Sequence, residues 1–129
     1  MNALLAFFAY FGSATILFTI FTLLYWKVTP HDEVKLIKEN NPAAAIAFGG
    51  AVLGFALPIS SAIESSVSLI DMAIWASVAG IVQICTFLGF RVFYPKISQR
   101  IEDGELAAAI KLASVAVAIG MINASSMTY

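Results

Sequence analysis

The sequence predicts an all-α integral membrane protein with four transmembrane helices, formed by two parallel two-helix repeats that each carry a short cytoplasmic interface helix. Three observations predict it. The 129 residues are 60% apolar and only 12% charged, with mean hydropathy +0.90. A soluble domain is roughly 45–50% apolar even with glycine counted, and about 25% charged. No soluble core of this length takes up that much apolar surface, so bilayer hydrocarbon is the solvent the composition calls for. Second, residues 3–25, 43–63, 70–93 and 106–127 each supply the about 20 mainly apolar residues that a span needs. Third, all seven Lys and Arg fall in or beside the loops after the first and third segments.

The first segment lacks a basic n-region and is too long for a signal-peptide core, so it reads as a retained span. Lys27, Lys35 and Lys38 follow it, and Arg91, Lys96 and Arg100 follow the third span. Lys111 lies about one turn inside the fourth span, within snorkelling reach of that second loop. The positive-inside rule therefore predicts that both basic loops are cytoplasmic and both termini outside. Tyr25, Trp26 and Tyr94 fall at the inner boundary, and Trp75 and Tyr129 near the outer one, where amphipathic rings prefer to sit.

The two halves, 1–64 and 65–129, read as repeats within one membrane domain. Pro30 and Pro95 each open a basic loop; Ala43-Ala44-Ala45-Ile46 recurs as Ala107-Ala108-Ala109-Ile110, and Ser60-Ser61 as Ser125-Ser126. Two spans per unit give both units the same direction across the bilayer, unlike the inverted repeats of many transporters. Spans 1 and 3 are rich in Phe and predicted to meet lipid. Spans 2 and 4 carry small residues four apart, Gly50 and Gly54 in one and Ala116 and Gly120 in the other. Such residues let helix backbones approach closely where no hydrophobic effect drives association. Spans 2 and 4 are thus the predicted packed centre, and their small faces the candidates for pairing between subunits.

Thr29-Pro30-His31-Asp32-Glu33 is the most polar stretch. Thr29 suits an N-cap and Pro30 a first helical position, predicting an interface helix of about ten residues. Asn41-Pro42 is predicted to cap and open span 2 in the same way, Asp71 to cap span 3, and Asp103-Gly104 to end the second interface helix. His31, Asp32 and Glu33 are donor types for a metal, but neighbours on a helix point apart and the second half has no counterpart; capping and contact with a partner or headgroups is the preferred reading.

At membrane depth, Gln83 needs a partner across helices. Pro58 frees the carbonyl of Gly54. Pro58, Ser60 and Ser61 in span 2 and Asn123 and Ser125 in span 4 lie at similar depth; ordinary interfacial helix ends are the preferred reading, and a candidate polar rim or path with Gln83 is the alternative. No GxSxG, HExxH or phosphate loop is present, and the single His and single Cys lie far apart in the sequence. The expectation is no enzyme, no cofactor and no metal. A net charge of −1 and pI about 5.7 give no drive toward nucleic acid.

The Thr-Pro-His-Asp-Glu motif, Ala43-Ala44-Ala45-Ile46 followed by Gly49-Gly50, Leu57-Pro58, Trp75, Gln83 and the closing Asn123-Ala124-Ser125-Ser126-Met127-Thr128-Tyr129 resemble the YjfL-like family of small bacterial inner-membrane proteins, grouped as domain of unknown function 350. The resemblance spans nearly the whole chain, though Asn40-Asn41-Pro42 stands where the family tends to show Gly-Asn. It implies a bacterial plasma-membrane protein with a duplicated two-span unit, in a genomic setting that often includes membrane-stress or polyamine-related proteins. It implies no activity and no catalytic residues. Together these readings predict an oligomeric structural or accessory component that contacts the lipid bilayer, further copies of itself and a cytoplasmic peripheral protein. The competing expectation is an oligomeric ion channel or small-solute transporter.

Overall fold

A computed structural model describes residues 2–29 and 33–127. Six helices follow in the order long, short, long, long, short, long: α1 (Ala3–Val28), α2 (Glu33–Lys38), α3 (Pro42–Ser65), α4 (Leu69–Phe93), α5 (Ile97–Glu102) and α6 (Leu106–Ser125). The four long helices are long and apolar enough to cross a membrane. The two short ones lie at one end of the bundle, with the basic side chains. The α3–α4 turn, the start of α1 and the end of α6 lie at the other, here called the terminal end.

Local chemistry explains the helix ends. Asn2 Oδ1 accepts from the Leu5 N–H at 2.8 Å and starts α1. Asn41 Oδ1 accepts from the Ala44 N–H at 3.1 Å with Pro42 in the first turn of α3, as the sequence leads one to expect. The N-cap of α4 is Ser68 rather than Asp71: the Ser68 hydroxyl accepts from the Asp71 N–H at 3.1 Å, and the Asp71 carboxylate accepts from the Val67 N–H at 3.1 Å. This is the reciprocal logic of a capping box, in which the acidic residue reaches back from the third helical position.

Thr29 closes α1, with its N–H and hydroxyl both donating to the Tyr25 carbonyl, the hydroxyl at 2.6 Å. Within the described residues α2 covers Glu33–Lys38; the expected opening of this helix at Pro30 falls on Pro30, His31 and Asp32, which lie outside the described residues. α6 ends at Ser125, two residues earlier than expected.

α2 and α5 end 64 residues apart, at Lys38 and Glu102, and both close by the same turn. After α2, Asn40 donates to the Ile37 carbonyl and Asn41 to that of Leu36; after α5, Gly104 donates to Ile101 and Glu105 to Arg100. Both turns need a left-handed residue, and Asn40 (φ 63°) and Gly104 (φ 78°) supply it. Asparagine is the non-glycine residue that tolerates this conformation best, which is how Asn40-Asn41 performs where Gly-Asn was anticipated.

The core is the seam between α3 and α6, which run parallel. A Cβ on Gly50 would stand 2.4 Å from Ala113 Cα, and one on Gly120 would stand 2.7 Å from the Gly54 carbonyl oxygen. These helices therefore touch backbone to backbone, as small residues permit in lipid. α1 and α4 pack around the seam with larger groups. The Phe21 ring covers Gly80, while Tyr25 lies edge-on to Phe55 and Phe87.

The expected sorting of aromatics onto lipid holds in part. Phe7, Phe8 and Phe11 face outward, but Phe21, Tyr25, Phe87 and Phe90 are buried. Tyr25 is thus a core residue and not part of an interfacial belt. Tyr129 lies outside the described residues.

Candidate functional site: polar groups within the bundle

Apolar walls leave few polar side chains within the bundle, and three of them, Gln83, Asn123 and Ser61, are engaged with a carbonyl of a neighbouring helix. Gln83 of α4 donates through Nε2 to the Ala116 carbonyl of α6 at 3.1 Å. One turn earlier on α4, the Ala79 carbonyl accepts from Asn123 Nδ2 of α6 at 3.2 Å. The antiparallel pair α4–α6 is thus clamped by two amides pointing in opposite senses. Ser61 of α3 donates to the Ala124 carbonyl of α6 at 2.7 Å, fastening the terminal end of the seam. An amide or hydroxyl without a partner in hydrocarbon is costly, so these bonds both hold the bundle and make the groups tolerable there.

Gly54 sits where these features meet. A Cβ there would lie 2.6 Å from Gln83 Nε2 and 2.8 Å from the Ala116 carbonyl oxygen. The glycine clears the space through which the Gln83 amide reaches α6. Pro58, one turn along, is fully buried within α3, which continues through it to Ser65.

The candidate polar residues do not form one path. Ser60, Ser61 and Ser125, joined by Glu64 and Ser65, line an open groove between α3 and α6 at the terminal end. Pro58 and Asn123 are absent from its lining, and Asn123 turns toward α4. Gln83 lies elsewhere, on the wall of a small central cavity of about 20 Å³ shared with Tyr25, Phe55, Thr86, Phe87 and Ala116. Gln83 is 6% exposed, and its Oε1 has no hydrogen-bond partner.

At the basic end, Arg91 reaches the Val28 carbonyl at 3.4 Å, and Lys111 both donates to the Tyr94 hydroxyl and lies 3.9 Å from the ring centroid. Lys111 thus directs its charge along α6 toward the end where the other basic residues lie. Asn41 adds a tie missed in the sequence, donating from Nδ2 to the Ile101 and Glu102 carbonyls at 3.1 and 3.2 Å. Its cap signal was readable, but a carbonyl sixty residues away leaves no mark in a sequence. Thr29 is buried at this end. Of Glu33 only the backbone position, opening α2, is described. Among the described residues no group of three His, Cys, Asp or Glu comes together as a metal site.

These features define a class: an all-helical protein with four candidate membrane spans, joined by backbone contact and a few amide bonds. The chain belongs to the DUF350 family, a Domain of Unknown Function, whose model matches residues 1–127. It is 40% identical over 129 residues to the UPF0719 inner membrane protein YjfL of Escherichia coli (strain K12), covering 100% of this chain and 98% of that one. It is 26% identical over 128 residues to the UPF0719 transmembrane protein YshE of Bacillus subtilis (strain 168), covering 98% and 96% respectively. No solved structure matches significantly.

Proposed function

We propose that this chain is a non-enzymatic structural or accessory component of a bacterial inner membrane, acting as an oligomer and offering its basic end to a peripheral protein. The observation that carries this reading is how the deep polar groups are used. Ser61, Gln83 and Asn123 each spend their donor on a neighbouring helix, which suits a scaffold better than a conduit through one chain. Relatives named as an inner membrane protein and a transmembrane protein support the compartment.

The clustering of Lys27, Lys35, Lys38, Arg91, Lys96 and Arg100 at one end supports an orientation with that end cytoplasmic and both termini outside. The 64-residue offset between α2 and α5, and the matching turns after them, support a duplicated unit of two parallel spans. Self-association has a face free for it. Gly50, Gly54, Ala116 and Gly120 are used within the chain, but Gly49, Ser114 and Ala118 line an apolar furrow on the open side of the seam. The exposed charges of α2 and α5, with the polar His31-Asp32-Glu33 motif beside them in the sequence, are what the chain would offer a cytoplasmic partner. An envelope-stress role belongs to the same reading.

Reconstitution in liposomes tests it. Cross-linked oligomer in vesicles that stay silent to common ions is the expected result. Currents altered by Gln83→Leu would overturn it in favour of an oligomeric channel or small-solute transporter. That second reading draws on the polar groove of Ser60, Ser61, Glu64 and Ser125, which several copies could arrange as a ring. The docking part fails if replacing His31, Asp32 and Glu33 leaves every cytoplasmic interaction intact in pull-downs.

A further inference from the structure

We propose that the central cavity is a binding site for a single water molecule, held by Gln83 in the middle of the bundle. The cavity lies where α1, α3, α4 and α6 meet, and its apolar lining includes Ala47, Ala51, Phe55, Phe87 and Leu112. Gln83 and Thr86, one turn apart on α4, bring polar groups to that wall. The Gln83 Nε2 is committed to Ala116, while its oxygen, on a side chain 94% buried from solvent, has no partner. A carboxamide oxygen only accepts, so the ligand must donate.

The walls also set its charge and size. The lining holds no Asp, Glu, Lys, Arg or His, which leaves a bare ion of either sign uncompensated. About 20 Å³ exceeds the roughly 10–15 Å³ that one water requires and leaves no room for a larger solute. Thr86 supplies a second acceptor, because its hydroxyl proton is already given to the Val82 carbonyl at 2.9 Å and its oxygen retains a lone pair. Water is the neutral, single-heavy-atom donor of two hydrogen bonds that meets these conditions. It would complete the hydrogen bonding of an amide that hydrocarbon leaves unsolvated. The site is closed on one side by the contact of Gly54 with Ala116.

The chain has two glutamines, Gln83 and the exposed Gln99, so labelling glutamine side chains with nitrogen-15 gives two resolvable amide signals. In detergent micelles the Gln83 amide protons are expected to show a nuclear Overhauser cross-peak to water with the sign of a long-lived contact, while Gln99 shows exchange only. The cross-peak is expected to persist in a Tyr25→Phe variant, which removes the phenolic hydroxyl from the lining and leaves both acceptors in place. Three results would overturn the proposal: no water cross-peak at Gln83, a cross-peak to detergent acyl protons instead, or loss of the water signal in a Tyr25→Phe variant whose Gln83 shift is unchanged. The last would assign the signal to exchange through a hydroxyl.

Discussion

The seam between α3 and α6 and the contact of α1 with its neighbours use opposite means in the same apolar surroundings. Across the seam, Gly50, Gly54 and Gly120 bring backbones together with only small groups, the Ala113 methyl and the Gln83 amide, beside them. On the α1 side, Phe21 and Tyr25 reach inward while most of the helix faces outward, Phe7, Phe8 and Phe11 included. In water, burying rings would be the stronger device because it removes apolar surface from solvent. In lipid that gain disappears, since acyl chains solvate a ring as well as a protein does. Association then rests on close van der Waals fit and on hydrogen bonds. The seam has both, and α1 has mainly the first.

This difference predicts unequal responses to substitution. The largest belongs to the seam. Gly120→Val puts a branched side chain against the Gly54 carbonyl, where backbone cannot yield as a flexible side chain would. We expect a loss of about 3 kcal/mol, at the upper end for overpacking, read as a shifted unfolding midpoint in mixed micelles. Gly89→Ala is the control. Nothing lies within 4 Å of its added carbon, and helix propensity should make it neutral or stabilising by up to about 1 kcal/mol. Equal losses at both positions would remove the distinction between seam and surface.

The α1 contact should rank next. Phe21→Ala uncovers Gly80 and is expected to cost about 2 kcal/mol, below the usual penalty in soluble cores because lipid replaces the lost ring. Phe11→Ala on the outward face should change the same midpoint by less than about 0.5 kcal/mol. A Phe21 loss exceeding that of Gly120→Val would reverse the ranking.

The amide clamp comes third. Gln83→Leu and Asn123→Leu are each expected to cost about 1 kcal/mol, in keeping with hydrogen bonds between membrane helices. Because both bonds hold α4 to α6, the double variant should lose less than the sum of the two, and a double-mutant cycle measures the shortfall. Strict additivity would show two independent bonds rather than one clamp. The smallest effect is expected at the turn after α2. Asn40→Gly relieves a left-handed asparagine and should gain a few tenths of a kcal/mol, visible as a slight rise in the same midpoint.

What could be read from the sequence follows the same physics. Span positions were legible because a bilayer demands about 20 apolar residues in a row. Asn41-Pro42 was readable as a cap because its partner lies three residues away. Asp71 misled because Ser68 and Asp71 are both cap formers and only the reciprocal geometry tells the cap from the third position. The aromatic faces were obscure for another reason. α1 is apolar all round, so no polar stripe distinguishes Phe21, which turns inward, from Phe7, which does not. At the candidate site, Gln83 announced by type and depth that it needed a partner. The Ala116 carbonyl that answers it is backbone, which every residue carries and no sequence pattern marks. The split of the polar rim from Gln83 was hidden likewise, because it depends on which way Asn123 turns.

The central claim is that the small-residue seam joins α3 to α6 within one chain, and paired cysteines test it most directly. In a Cys85→Ala background, Ser61→Cys combined with Ala124→Cys places two thiols where Ser61 now reaches the Ala124 carbonyl. The account predicts that oxidation joins them within a monomer, and that a mixture of the two single-cysteine variants yields no bond between chains. Efficient cross-linking in that mixture, with little inside the double variant, would show that the seam belongs to a contact between copies and would contradict the account.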